Sequence, residues 1–314
     1  MAPATYAGYL IRFRPGSNTD SRYLFYCSQS AFFQAAIEAD AITSTISNFN
    51  ADRYAGISCP LHPLAEQRAI ADYLDVETAR IDALIAKKQQ LIHLLEERLT
   101  DFVETALFAS EKRTRLDRLT DDSRQIMYGI VLPGPDVGTG VAIVKGGNVR
   151  NHRIQGHVCH TTHEIAAPYT RSQLRAGDLA IIIRGAGAGR VANVSAEHNG
   201  WNITQDVARV APARGVRSDW LRHVLEARPV QAQLKVRVGG ATITGINIWD
   251  LKRLEVPDAS TMEQELVSQQ INEAESSSLA TTAALARQIE LLAERRQALI
   301  TAAVTGEFTV PGAP

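Results

Sequence analysis

Residues 60–110 read PLHPLAEQRAIADYLDVETARIDALIAKKQQLIHLLEERLTDFVETALFAS, and this stretch decides how the rest of the chain is read. Pro60 and Pro63 preclude helix before them, since proline lacks a backbone donor and restricts the residue ahead of it. Glu66 and Gln67 then fall in a first turn, where negative charge suits the helix dipole. Apolar residues follow at alternating steps of three and four: Leu74, Ile81, Ile85, Ile92, Leu95, Leu99, Phe102 and Ala106. Thr78 and Lys88 interrupt the seam. The spacing predicts one long helix over 60–110 with heptad character.

The pattern returns downstream. Pro60, Glu66, Gln67, Leu94, Leu95, Glu97 and Arg98 recur as Pro257, Glu263, Gln264, Leu291, Leu292, Glu294 and Arg295, at a constant shift of 197. The second seam runs Ile271, Leu285, Ile289, Leu292, Leu299 and Ala303, with Glu275, Ser278, Thr282 and Arg296 interspersed. Gly306 followed by Pro311 is its stop signal. Upstream, Arg22-Tyr23-Leu24 answers Asp219-Trp220-Leu221, and residues 46–49 answer 245–248. The chain reads as about one and a half units of a two-unit protein, and an internal repeat of this kind governs the whole fold. A heptad stripe of such length cannot bury itself. The two copies supply each other's partner, so an antiparallel coiled coil is expected rather than two helices on separate local domains.

The composition divides the chain in the same way. The formal net charge is −1, yet residues 113–257 carry 20 Lys/Arg against 12 Asp/Glu, and the remainder carries 13 against 22. The basic part is a candidate polyanion binder; the acidic part suits a scaffold or a protein partner. The short apolar runs of the basic part, at 141–144, 179–183, 190–194 and 206–210 and punctuated by glycine, predict a mixed, largely β domain. A helix is expected from Ser218, as cap, to about Leu234, with Pro229 ending or kinking it. The first 58 residues repeat only the tail of this domain: a strand at 8–13 and a helix at about 21–39. The fold class is therefore α+β. Three widely spaced cysteines make no disulfide framework, and no apolar run reaches the length of a bilayer span. A cytoplasmic protein is the expectation.

Candidate chemistry is sparse. Arg184-Gly-Ala-Gly-Ala-Gly-Arg190 follows an apolar strand, as a dinucleotide loop does, but a strand rather than a helix is expected after it. A tight strand-to-strand turn fits better, and a nucleotide-using enzyme is the minor reading. His152, His157, Cys159, His160 and His163 are crowded enough to raise zinc, but an extended segment sends alternate residues to opposite faces. No metal is expected. No nucleophile–base spacing or phosphate loop proposes a reaction, so the chain reads as a binding protein.

Residues 60–75 and Ala79-Arg-Ile-Asp-Ala-Leu84 resemble the first conserved helical region of specificity (S) subunits of type I restriction–modification systems. Residues 294–306 resemble the end of their second such region. Val144-Lys-Gly-Gly-Asn-Val149, Gly177-Asp-Leu179, 184–190, Asn202-Ile-Thr-Gln-Asp206 and Thr242-Ile-Thr-Gly-Ile-Asn247 resemble the framework of a target recognition domain. The resemblance implies two recognition domains, each reading half of a bipartite DNA site, with the paired helices setting the spacer. It assigns 1–58 to the end of a first recognition domain, 59–112 to the first long helix, 113–258 to a complete second domain and 259–314 to the second helix. Relative to that pattern the chain lacks the start of the first domain, and a truncated or assembly-only scaffold is the alternative. The implied partners are double-stranded DNA, two methyltransferase (M) subunits and, through them, restriction (R) subunits, with no membrane. S-adenosylmethionine, ATP and Mg2+ belong to those partners, and the chain itself holds no cofactor and catalyses nothing.

For DNA contact, arginine and lysine near turns suit phosphates, and amides, hydroxyls and some arginines suit base edges. Lys145, Arg150, Arg190 and Lys235 are the expected phosphate contacts. Asn148, His152, Arg184, Gln205, Thr242 and Thr244 are the expected base or groove contacts. Glu66, Gln67 and Asp82 are either caps or partner contacts.

Overall fold

The structure is a computed structural model that describes residues 7, 10–40, 50–185, 187–237 and 245–312. Four helices come first: α1 (Ser21–Gln29), α2 (Ala31–Asp40), α3 (Ala51–Ala55) and the long α4 (Leu64–Leu107). A β-rich segment follows with β1 (Arg113–Arg115), β2 (Met127–Tyr128), β3 (Val141–Val144), β4 (Val149–Arg150), β5 (Arg153–Ile154) and β6 (Cys159–Thr161). It continues with α5 (His163–Ala166), β7 (Leu179–Ile182), β8 (Val191–Asn193), β9 (Asn202–Ile203) and β10 (Val207–Val210). The chain closes with α6 (Ser218–Glu226), α7 (Arg228–Arg237), α8 (Ile248–Lys252), β11 (Glu255–Pro257) and the long α9 (Thr261–Thr305). No helix among the described residues is long and apolar enough to cross a membrane.

The chain divides into two compact units, residues 1–95 with 279–314, and residues 96–278. In each, a segment of α4 packs against a segment of α9. In the first, Lys88 Nζ donates to Gln288 Oε1 at 2.5 Å and Arg296 Nε to Asp82 Oδ1 at 3.0 Å. Higher residue numbers on one helix meet lower ones on the other, the antiparallel sense expected. Ile70, Ala71 and Leu74 pack there with Ile300, Ala303 and Val304. Ile81, Ile85, Lys88, Ile92, Leu95 and Leu99 are the inward positions of α4 over this span, spaced four and three, while the residues between them are exposed. The two seam interruptions have partners: Thr78 bonds the Leu74 carbonyl at 2.6 Å and lies 3.3 Å from Tyr26 Oη, and Lys88 holds Gln288.

The two units repeat each other's local wiring. Helices α1, α2 and α3 recur as α6, α7 and α8 with both ends displaced by 197. Gln67 is fully buried; its Oε1 accepts from Asp20 N at 2.8 Å and its Nε2 donates to His62 O at 2.7 Å. Gln264 does the same with Arg217 N and Ala259 O, at 2.8 and 2.7 Å. The first amide of α2 donates to Thr301 Oγ1, and that of α7 to Glu104 Oε1. Gln67 is thus a structural tie, and Asp82 an ion-pair partner of Arg296, within the first unit.

The details correct four expectations. Helix 21–39 is two helices with a break at Ser30, which stays extended at φ −67°, ψ 153°. The helix from Ser218 breaks at Ala227, and Pro229 sits in the first turn of α7, where its missing N–H is harmless. Arg217, whose side chain makes no capping bond and instead pairs with Asp219, occupies the cap position expected for Ser218. Residues 10–13 form no strand, and the rest of the expected strand at 8–13 lies outside the described residues.

In the second unit, a six-stranded sheet runs β2-β10-β7-β8-β5-β4, with a three-stranded β6-β3-β9 sheet and a β1-β11 pair. Strand β7 has a core on each face. Leu179, Ile181 and Ile183 join Trp220, Leu221 and Leu225 of α6, while Ala180 and Ile182 join Val144, Val149 and Val207. That two-sided burial explains an apolar run without polar alternation. Leu116, Leu119 and Ile126 cover Leu221, Leu251, Leu254 and Val256, all fully buried. In the first unit the matching Leu24, Tyr54, Ile57 and Cys59 line an open apolar groove, and Phe25 beside them is 60% exposed.

Helix α6 also buries His223, with Arg222 Nη2 2.8 Å from its Nε2. Burial, and then the Arg222 charge, push its pKa down to about 4 from 6.5. The native ring stays neutral while the unfolded ring gains a proton, so this contribution is complete above pH 6.5 and lost as pH falls toward 4. The expected slope is at most ~1.4 kcal/mol per pH unit in that window. Thermal unfolding of His223→Gln between pH 7 and 4 should show a shallower acid dependence; an unchanged slope contradicts it.

Candidate nucleic-acid interface

The glycine run is a strand-to-strand turn. It joins antiparallel β7 and β8, with Gly185 at φ +88° and Gly189 at φ +95°, values that side chains rarely adopt. A Cβ on Gly189 would also lie 2.4 Å from Gln231 Oε1, because Gln231 ties this turn to α7 through the Gly189 carbonyl. A helix does not follow the glycines, so the dinucleotide-loop geometry is absent. Arg184 and Arg190 flank the turn, both exposed, and Arg184 bridges Gly245.

A second turn lies beside it. Strands β4 and β5 form a hairpin whose central residues, Asn151 and His152, have φ of +49° and +62°. Two successive positive φ angles define the tight turn whose twist matches the flanking strands. The His152 carbonyl accepts from Asn193 N at 3.0 Å, fixing the hairpin to β8, and His152 Nδ1 lies 2.9 Å from Glu226 Oε1. Arg150, Asn151, His152, Arg190 and Glu226 line one concavity. Glu226 also receives Arg222 Nη1 at 2.9 Å, so its charge is offset from within the domain.

Three of the expected contacts, Arg150, His152 and Arg190, are therefore brought together from two hairpins. Lys235 is exposed on α7. Lys145 is exposed, with Nζ 3.1 Å from Cys159 Sγ. Asn148 is 6% exposed; it accepts from Lys145 N and donates to the Gln155 and His157 carbonyls. Both its amide hydrogens and one acceptor site serve the loop, which favours a structural role over base contact. Gln205, oriented by its surroundings, donates to the Ile130 and Val131 carbonyls at 2.8 Å each. Thr242 and Thr244 lie outside the described residues.

Sequence reading missed Asn151 and Glu226, and it missed one more grouping. Asp136, His157 and Cys159 place possible ligand atoms within 4.8 Å of one another. His157 and Cys159 share a face because they are two apart; Asp136 comes from a distant loop. The Asp136 carboxyl is held well below its ordinary range by the His160 and Gly138 amides, then by His157. The Lys145 ammonium beside the sulfur places positive charge where a cation would have to sit.

Two long helices, a repeated set of three short helices and mixed β-sheets define an α+β protein. No family model matches the chain. It is 27% identical to the Type I restriction enzyme EcoBI specificity subunit of Escherichia coli, over 88% of this chain and 64% of that one. The chain thus spans about two thirds of the length of that relative, slightly less by the same measure. Among solved structures, a chain from a study of complex assembly and conformational transition of the type I R-M system superposes with a TM-score of 0.76 at 17% identity, covering 93% of this chain and 72% of that one. The HsdS subunit from Thermoanaerobacter tengcongensis gives 0.58 at 17% identity, covering 93% and 71%. In sequence over most of its length, and in fold, the chain resembles type I specificity subunits.

Proposed function

We propose that the chain is the DNA-sequence specificity subunit of a type I restriction–modification complex, acting in the cytoplasm and catalysing no step itself. The sequence likeness to a specificity subunit over 88% of the chain carries this reading. The basic balance of residues 113–257 and the grouping of Arg150, His152 and Arg190 on adjoining turns support it. In this reading residues 113–258 are a complete recognition domain, 1–58 are the end of another, and 59–112 and 259–314 are the spacer helices. Two M subunits dock on the helices and R subunits join through them; S-adenosylmethionine, ATP and Mg2+ are bound by those partners. Leu84, Leu91 and Leu94 remain 44–50% exposed on α4, an apolar strip that suits a docked partner.

Selection from a random-sequence duplex pool by the chain with its M subunit tests the reading. An enriched motif is expected; a flat pool contradicts it. Within that assay Arg150→Ala/Arg190→Ala should weaken all sequences alike, by ~10-fold or more, because phosphate contacts carry no sequence information. Arg184→Ala should instead relax one position of the motif, at a cost of ~1–3 kcal/mol.

A further inference from the structure

A second basic site lies at the other end of β7 from the glycine turn. Arg209, on β10, pairs in register with Ala180 near the start of β7, whereas the glycines follow its end at Ile182. Arg209 is 2% exposed. Its Nη2 donates to the Gln125 carbonyl at 2.7 Å, while Nε is buried with no partner. The one buried carboxylate nearby, Asp178, is committed to Arg124 by two bonds of 2.6 and 2.7 Å, and it also accepts from Arg175 N. Arg209 is therefore a buried cation without a carboxylate partner of its own, a costly arrangement unless an anion completes it.

The pocket that Arg209 lines has a volume of about 590 Å³. Arg124, Arg171 and Arg175 line it too, with the neutral donors Ser123 and Thr170 and one carboxylate, Asp122, so four guanidinium groups face a single acid. Among the described residues, the exposed guanidinium groups of Arg171 and Arg175 make no ion pair. Met127 is the one large apolar lining residue, and no aromatic ring is present. A base or an apolar protein anchor finds nothing to pack on, whereas forked guanidinium donors and hydroxyls suit phosphate oxygens. The burial of Arg209, and then the Arg124 charge, lower its pKa to about 10, so it stays charged at neutral pH.

We propose that this four-arginine pocket is a phosphate site that grips the backbone of duplex DNA, away from the turns at the other end of β7. The proposal rests on the reading of the chain as a DNA binder. It adds Arg124, Arg171, Arg175 and Arg209 to the contact surface, none of which stands out in the sequence.

Arg171→Ala/Arg175→Ala in the full chain is the test, since both side chains are exposed and the fold should survive. Binding of a mixed-sequence duplex is measured across a salt titration. Affinity should fall several-fold and the slope of log K against log salt should become shallower by ~2. Arg80→Ala/Arg98→Ala, which removes equal charge from α4, should leave the slope unchanged. In parallel, inorganic phosphate at matched ionic strength should raise the unfolding temperature of the unmodified chain and not of the double variant. If the chain binds duplex but the double variant keeps the same affinity and slope, the phosphate site is overturned and the DNA-binding reading stands. If phosphate stabilises the chain through Arg171 and Arg175 but duplex does not bind, the assignment to DNA is overturned.

Discussion

Gln67→Ala is expected to destabilise the first unit by ~3 kcal/mol or more, and Gln264→Ala to do nearly the same in the second. Each glutamine is buried, and each satisfies the backbone amide just ahead of a repeated helix and the carbonyl just ahead of a long one. Gln67 additionally donates to the Asn18 carbonyl at 3.0 Å. Truncation leaves these groups without a partner, at ~1–3 kcal/mol for each buried group, and adds a small cavity. For units of this size the unfolding midpoint should fall by roughly 6–12 °C. Calorimetry of the two variants checks it. A shift of a degree or less in either would contradict the account of the repeat as duplicated wiring.

Gly129→Ala should have a larger effect, confined to the β-rich layer. A Cβ there would lie 1.8 Å from the Ile203 carbonyl oxygen and 2.4 Å from its carbon, both backbone atoms with nowhere to move. The same carbonyl accepts from Ile130 N at 2.8 Å, and Gly129 N donates to Thr204 O at 3.2 Å. The substitution therefore parts two bonded segments, an effect of ~4 kcal/mol or more. Limited proteolysis should cut within residues 113–217, and duplex binding should be lost. Gly177→Ala is the control: its φ of +90° is strained but nothing lies within 4 Å of the new Cβ, so a cost of ~1–2 kcal/mol is expected. Equal behaviour of the two variants contradicts the close-approach argument.

The helices and the repeat were legible because periodicity is a local signal. Seam positions Ile81, Ile85, Lys88 and Ile92 turn inward as their spacing requires, and a shift of 197 carries the ends of α1 onto those of α6. Strands at 141–144 and 207–210 were legible as short apolar runs bounded by turn residues. The breaks at Ser30 and Ala227 were blurred because each interrupts a helix for one residue only. The candidate site was legible where its residues flank turns, as Arg184 and Arg190 do. It was not legible where chemistry depends on distant partners: Asp178 meets Arg124 from 54 residues away, and Glu226 meets His152 from 74. An amide near a basic loop, such as Asn148, suits base reading or a loop tie, and its three loop bonds favour the second.

The central claim is that this chain confers DNA sequence specificity on partners that carry the chemistry. The most direct measurement is modification mapping by single-molecule sequencing of DNA from cells that co-express the chain with its cognate M subunit. One new methylated motif, present only when both proteins are made and lost with Arg150→Ala/Arg190→Ala, is the predicted result. Methylation unchanged by the presence of the chain, although the two proteins co-purify, would contradict it.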